Sequence, residues 1–347
     1  MRKIYLLTVM TVLSLSVWAW NSPVPIPDVG EARLHIVGQN AENYVSVLDA
    51  SNSKCATQAE FQAKTNKMAN AFLAMQADVV SICEVQRDDE ILSFICNAMN
   101  TLYGQNVYTY VTDGIDGAVL SDDNYMPLKS GFIYRSDKVT PVGSSSSPYY
   151  YEGEYNSRMR IQAFKEISTD EIFTLSMNHF KAKSGRDQGE STRRTNANNL
   201  VSALSDITYD PDILIMGDLN AYMGEEPIEI LENAGYEEQL IVYDENAYTY
   251  NYYGSLGILD HVMANSTMAT QITGAYAYHI NTAGGYYYKY SDHDAVVVGI
   301  NLGTQQGEGF EQKPPLPEAR KVLINGVIYI ELNGTRYDLF GRHITDY

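Results

Sequence analysis

Asp218 and Asn220 stand two residues apart where an apolar run ends, in the segment PDILIMGDLNAYMGEEP at 211–227. Residues i and i+2 of an extended chain point to the same side. A carboxylate and an amide are therefore expected to project together from a strand end. Five more apolar runs carry the same signature. Asn40 follows LHIVGQ, Glu84 follows ADVVSIC, His179 follows IFTLSMN, Asp260 and His261 follow GSLGIL, and Asp292, His293 and Asp294 precede AVVVGI. Carboxylate and amide oxygens suit hard cations such as Mg2+ or Mn2+, with Ca2+ also accommodated. Imidazole can stabilise or protonate oxygens at neutral pH. Each residue alone has a structural explanation: a solvated turn, a cap, a strand start. The repetition at six strand ends is hard to obtain from turn chemistry. A zinc site is not expected, because the histidines lack H-E-x-x-H spacing.

The elements that must position these residues follow from the pattern between 31 and 302. RLHIVGQN, ADVVSICEV and SGFIYRSDKV read as strands, and AEFQAKTNKMANAFLAMQ as an amphipathic helix. A Ser- and Tyr-rich loop is expected from Gly143 to Asn156. RIQAFKEI and IFTLSMNHF form a strand pair joined by STDE. A helix over Ser191–Leu204 precedes the strand ending at Asp218, and EPIEILENAG is a short helix closed by glycine. GILDHVMAN and SDHDAVVVGINL complete the domain. Adjacent apolar residues, without strict alternation, suit sheets covered on both faces. The fold class expected is α/β with helices outside.

Hydrophobic residues make up 45% of the 347 residues, so the chain can bury a core and wholesale disorder is excluded. The net charge of −19 gives no global attraction for polyanions, which argues against a protein that coats nucleic acid. A local positive site remains compatible with it. Residues 1–19 read as a signal peptide: Arg2 and Lys3, an apolar stretch from Ile4 to Val17, and Val17-Trp18-Ala19 before the cut. The alternative, a membrane anchor, has too short an apolar run for the ~20 residues of a span. No stable membrane span is expected after cleavage, and the protein is expected to be secreted, periplasmic or on the cell surface, as a monomer. Of Cys55, Cys83 and Cys96, two could pair in an exported protein, and spacing does not choose which. The 28 tyrosines include a cluster at 148–155. Residues 303–318 read as a linker, rich in Gly and Pro. In the tail, 319–347, Asn-Gly pairs at 325–326 and 333–334 predict a three-stranded meander. That tail resembles C-terminal segments of secreted bacterial proteins, implying a sorting role; the alternative is a packing appendage.

GQNAEN, SICEVQ, MNHF, GDLNA, GILDHV and SDHDAVVVG occur in that order over roughly residues 31–302. They resemble the ordered motifs of the endonuclease/exonuclease/phosphatase family, the deoxyribonuclease I-like fold. NHFKAKSG, GDLNAYMGEEPIEILENAGY, AYTYNYYGSLGILDHV and AYHIN are similar to bacterial extracellular nucleases of that family. The resemblance implies a four-layer sandwich of two mixed β-sheets flanked by helices. It implies Glu84 as the main metal ligand, helped by Asn40 and Asp292. Asp218 would orient or deprotonate water, and Asn220 would hold a phosphate oxygen or support the metal. His293 would be polarised by Asp260, and His179 would contact the scissile phosphate. Arg158 best matches the phosphate-binding arginine, with Arg160 as the alternative. The implied reaction is in-line attack of water on a phosphodiester, DNA first and RNA second, without a covalent intermediate.

The sequence departs from that pattern in one place. Some family nucleases carry a carboxylate, paired to the first histidine, where this chain reads Met126, Pro127, Leu128 and Lys129. Asp122 and Asp123 are weak candidates for a His179 partner. Lys129 and Arg135 could meet phosphate or be solvated charges. His261, His35 and His279 are read as packing residues. FKAKSGRDQGESTRR, with five basic residues, is a candidate DNA-facing loop or an ordinary solvated one. Two other functions fit the motifs less well: a phosphatase or phospholipase C on small phosphoesters, and a surface binding module with a degenerate site.

Overall fold

A computed structural model describes residues 21–114, 119–147, 158–207 and 210–303, and strand segments between 320 and 344. The signal peptide, the tyrosine cluster at 148–155 and the linker from 304 to 318 lie outside the described residues. Two compact units are distinguished, residues 1–304 and 305–347.

The first unit opens with β1 (Leu34–Tyr44), α1 (Gln58–Ala74), β2 (Val79–Gln86), α2 (Glu90–Tyr103), β3 (Tyr108–Tyr110) and β4 (Leu128–Arg135). A second run follows: β5 (Val139–Ser146), β6 (Met159–Glu166), β7 (Ile172–His179), α3 (Glu190–Ser205), β8 (Ile213–Asp218), α4 (Glu226–Asn233), β9 (Tyr236–Glu238) and α5 (Gln239–Tyr243). A hairpin, β10 (Tyr250–Tyr252) and β11 (Ser255–Gly257), leads into β12 (Asp260–Asn265), α6 (Ser266–Ala269), β13 (Ile272–Tyr278) and β14 (Ala295–Ile300). One six-stranded sheet has the order β13-β14-β1-β2-β4-β3 and the other β5-β6-β7-β8-β12-β9. Each is mixed, with one parallel pair: β1 with β2, and β7 with β8.

Period-two alternation explains the layering. In β8, Leu214 and Met216 face the core between the sheets, where Leu34, Ile36, Phe132, Phe164, Phe173, Val296 and Val298 meet them. Ile213 and Ile215 face the other way, onto Leu200, Leu204, Ile228 and Leu231 of α3 and α4. In β2, Val79 faces between the sheets, and Val80 and Ile82 pack on Phe72, Ile91 and Ile95 of α1 and α2. Both faces are covered, as the unbroken apolar runs require. The arrangement is helices, sheet, sheet, helices. Gly38 leaves room for the facing sheet: a Cβ there would lie 2.9 Å from Met216 Cε.

Local signals set the helix ends. Thr57 caps α1 by accepting from Glu60 N. Gly104, left-handed at φ 81°, ends α2. The helix α2 is additional to the expected elements, with Ile91, Leu92, Ile95, Cys96 and Met99 at helical spacing on its buried face. The expected loop from Gly143 is also corrected: β5 continues through Ser146, because Ser146 pairs with Ile161 beyond a bulge. Cys55, Cys83 and Cys96 are buried free thiols.

In the second unit, Arg320–Ile324, Val327–Leu332, Thr335–Tyr337 and His343–Ile344 form a four-stranded antiparallel meander, one strand more than expected. Ile324 pairs with Val327 and Leu332 with Thr335, on either side of the two Asn-Gly pairs. No described helix is long and apolar enough to cross a membrane.

Candidate active site

The parallel pairs β1/β2 and β7/β8 end beside each other, and their terminal side chains converge. Asn40 Nδ2 donates to Glu84 Oε1 at 3.2 Å and to Asp218 Oδ2 at 3.0 Å. One amide thus ties a carboxylate of its own sheet to a carboxylate of the other. His179 Nε2 lies 3.4 Å from Glu84 Oε1 and 3.9 Å from Asp218 Oδ2. His293 Nε2 lies 3.8 Å from the same Asp218 oxygen, and His293 Nδ1 lies 2.7 Å from Asp260 Oδ2. Register explains the grouping: His179 pairs with Asp218 in the parallel ladder, and Asp218 pairs with Asp260 in the antiparallel one.

The backbone bends sharply to present these groups. Glu84 adopts φ 57° at a bulge between Ile82 and Val85. Glu42 and Asn43 adopt φ 48° and 49°, also at a break in register. Left-handed non-glycine residues cost of order 1–3 kcal/mol each and persist where surrounding contacts enforce them. Here the Asn43 N–H donates to Glu84 Oε2 at 2.9 Å, and the Glu42 N–H donates to Asn40 Oδ1 at 2.9 Å. Both Glu84 oxygens are therefore fixed.

Asn220 departs from the simple extended picture. β8 stops at Asp218, and Asn220 is left-handed at φ 49°. Its N–H donates to Asp218 Oδ1, and its Nδ2 donates to Phe180 O at 3.2 Å. The Asp218 carboxylate is held by the Asn220 backbone, and the Asn220 side chain turns to Phe180, so the two side chains do not project in parallel. Asp292, half-buried, lies outside the cluster of Glu84, His179 and Asp218, whose ligand atoms are all within 4.8 Å.

The His179 partner is neither Asp122 nor Asp123, which are exposed. Arg158 Nη1 faces His179 Nδ1 at 3.1 Å. Burial and the Arg158 charge push the His179 pKa down to about 3, so the ring is neutral. A guanidinium only donates, so Nδ1 accepts and the ring proton is on Nε2. Arg160, the alternative phosphate arginine, is paired to Asp113.

His293 has the opposite character. Burial opposes its charged form, yet the Asp260 and Asp218 carboxylates outweigh burial and raise its pKa well above the ordinary value. Burial raises the Asp218 pKa; the His293 charge opposes that rise and the Asp260 charge adds to it. Two buried histidines at one carboxylate thus differ in charge.

Lys129 is neither solvated nor at the site: it is fully buried, with Nζ 2.6 Å from Asp89 and 3.1 Å from Asp113. Arg135 pairs with Asp78 and Asp137. His261 is structural, held by Glu238 and Ala221 O. His35 contacts Met75 O, and His279 contacts Asp294 and stacks on Tyr248. In the basic loop, Lys183, Arg193 and Arg194 pair with Glu225, Glu190 and Glu226.

Residues absent from the sequence reading complete the site. Thr249 Oγ1 accepts from the Asp260 N–H at 2.9 Å, and the Tyr250 ring lies over His293 at 4.6 Å between centroids. Ser291 Oγ donates to Asn40 O at 2.6 Å. These contacts need the hairpin and the 279–294 segment folded back, which no local pattern encodes.

The residues can be tested for fit to a divalent cation. His179 Nε2 carries the proton and has no lone pair to offer, which leaves Glu84 and Asp218. Two carboxylates with water completing the shell is a usual donor set for Mg2+. The Asn40 oxygen accepts from the Glu42 N–H and keeps one further lone pair.

Fold comparison places this arrangement in a known class. The described sandwich is the endonuclease/exonuclease/phosphatase fold, also called deoxyribonuclease I-like. An endonuclease/exonuclease/phosphatase from Bacteroides vulgatus matches with TM-score 0.57 and 14% identity, over 78% of this chain and 98% of that one. An AP endonuclease from Archaeoglobus fulgidus matches with TM-score 0.55 and 12% identity, over 78% and 100%. A mannosyl-6-phosphatase from Bacteroides thetaiotaomicron matches with TM-score 0.53 and 15% identity, over 78% and 100%. No family model and no curated protein matches by sequence.

Proposed function

We propose that the protein is a divalent-metal-dependent phosphoester hydrolase, exported after cleavage of residues 1–19, with DNA phosphodiesters as the leading substrate. The observation that carries this reading is the convergence from two sheets of His179 to within 4 Å of both Glu84 and Asp218, and of His293 to within 4 Å of Asp218. The AP endonuclease and mannosyl-6-phosphatase that share the fold support a phosphoester.

Glu84, with one oxygen of Asp218, would hold Mg2+ or Mn2+, with Ca2+ as a further possibility; when bound, the ion would offset phosphate charge. Asn40 holds the Glu84 and Asp218 carboxylates apart and oriented. Asp218, buried and held by the Asn220 N–H, takes the proton of the attacking water. Protonated His293, anchored by Asp260, donates to an oxygen that gains charge. His179 donates its Nε2–H to a phosphate oxygen, and Arg158 meets the same group. Asn220 acts by fixing Asp218.

A second reading, small phosphoesters, is favoured by the ion pairs of Lys183, Arg193 and Arg194. Paired cations attract a long polyanion less than free ones do. The deciding experiment incubates the protein with bis(p-nitrophenyl) phosphate, plasmid, single-stranded DNA, RNA, inositol phosphates and sphingomyelin. Each is tested with Mg2+, Mn2+, Ca2+ or chelator. Metal-dependent hydrolysis lost in Glu84→Ala and His293→Ala is the expected result. No hydrolysis with any ion, or full activity in both variants, would sink the reading.

A further inference from the structure

A cavity of about 310 Å³ opens beside the cluster, on the side of Glu84 and His179. His293 and Tyr250 do not line it. Its polar walls come from Asn43, Asn52, Tyr125, Arg158, Lys181 and Asn196. Ligand pockets usually run from about 300 to 1,000 Å³, so this one suits a compact group.

The hydrogen-bonding polarity of the cavity is fixed by backbone N–H groups, which can only donate. The Met126 N–H donates to Asn52 Oδ1, so Asn52 turns its Nδ2 toward Met126 O and Asn43 Oδ1. Asn43 is left with its own Nδ2. The Lys181 N–H donates to Asn196 Oδ1, which leaves Asn196 Nδ2. Among the described residues, neither of those amide groups, nor the Tyr125 hydroxyl, nor Lys181 Nζ makes a hydrogen bond or ion pair. Arg158 spends one nitrogen on His179 and has others remaining. The wall therefore offers donors from five side chains, two of them cationic. The one carboxylate that lines it, Glu84, is held by Asn40 and the Asn43 N–H. Overall the protein is strongly acidic, so a donor-rich cavity is a local reversal of charge.

We infer that this cavity receives a second phosphoryl group, so that the substrate carries two phosphates in tandem, one at the cluster and one against Lys181, Asn43, Asn196 and Tyr125. The inference rests on the hydrolase reading and narrows it. Phosphate offers acceptors only, which matches unspent donors, and cationic donors strengthen each bond. A nucleic-acid strand and a small sugar bisphosphate share this chemistry.

Two matched pairs of substrates separate these sources. One pair is a dinucleoside monophosphate with and without an additional terminal phosphate. The other is glucose 1-phosphate and glucose 1,6-bisphosphate. In at least one pair the second phosphate is expected to raise kcat/KM tenfold or more, mainly through KM. The double variant Asn43→Ala/Lys181→Ala is expected to reduce that gain to less than threefold. Ala182→Trp, which fills the cavity from its rim, is expected to do the same and guards against a folding defect in the first variant. A gain in the first pair identifies a strand, and in the second a small bisphosphate. No gain in either pair, or a gain that survives both variants, overturns the inference while bis(p-nitrophenyl) phosphate hydrolysis still stands. Loss of that hydrolysis in the wild-type protein overturns both.

Discussion

Arg158 Nη1 and His179 Nδ1 lie 3.1 Å apart, a cation facing the ring nitrogen for which the sequence offers only Asp122 and Asp123 as weak candidates. A carboxylate at Nδ1 would place the proton there and leave Nε2 as an acceptor. The guanidinium does the reverse and makes Nε2–H a donor aimed at the cluster. Arg158→Met is expected to give a mixture of tautomers and to lower kcat/KM about 10²-fold, the scale of losing one donor to developing charge. Arg158→Lys, still a donor, is expected to keep the Nε2–H tautomer. Nitrogen-15 NMR of the histidine ring checks this, and an Nδ1–H signal in the wild type would refute it.

Asp260 and Asp218 hold His293 in its charged form against burial. In Asp260→Asn one of those charges is lost while burial remains, so the His293 pKa falls. A group needed as an acid is then lost at lower pH than before. The alkaline limb of the kcat profile is expected to move toward acid, with a deficit of about 10²-fold at pH 8 that narrows near pH 6. An unmoved alkaline limb would assign His293 a role other than proton donor.

Lys129 neutralises Asp89 and Asp113 in the interior. Lys129→Met removes that cation from both carboxylates; Asp113 keeps its ion pair with Arg160, while Asp89 loses the lysine. The expected loss is about 3–5 kcal/mol in urea unfolding. Adding Asp89→Asn is expected to recover part of it, since the carboxylate that lost the lysine is then neutral. A loss under 1 kcal/mol in the single variant would mean that water reaches the pair.

Gly217 has φ 126°, and a Cβ there would lie 2.1 Å from Asn178 O. Gly217→Ala combines backbone strain with a clash inside the β7/β8 ladder. It is expected to cost at least about 3 kcal/mol and to displace the adjacent Asp218, so activity per folded molecule also falls. Thermal unfolding and turnover measured together test both halves.

The sandwich was legible because its strands are apolar on both faces and its motifs recur at their ends. Leu34, Ile36, Val79, Leu214 and Met216 announce buried strands without any partner in view. The proximity of Glu84, Asp218, His179 and His293 was foreseeable from strand ends and motif order. Their couplings were not. Arg158 reaches His179 only after β6 pairs with β7, and Lys129 finds Asp89 and Asp113 across 40 and 16 residues of chain. An exposed lysine and a buried one look alike in sequence. Asn220 was misplaced because an i, i+2 rule assumes extension that the left-handed turn abandons. The helix α2 has the required periodicity, in Ile91, Leu92, Ile95, Cys96 and Met99, and follows directly on the strand that carries Glu84.

β14 lies between β13 and β1, so Leu34–Gly38 near the start of the chain pair with Val296–Ile300 near the end of the first unit. A growing polypeptide therefore carries its opening strand without one neighbour until almost all of that unit has been synthesised. His293 and Asp292, just ahead of β14, arrive at the same late moment. A ribosome stalled before residue 290 would hold a chain with an incomplete sheet and without the His293 that meets Asp218 and Asp260.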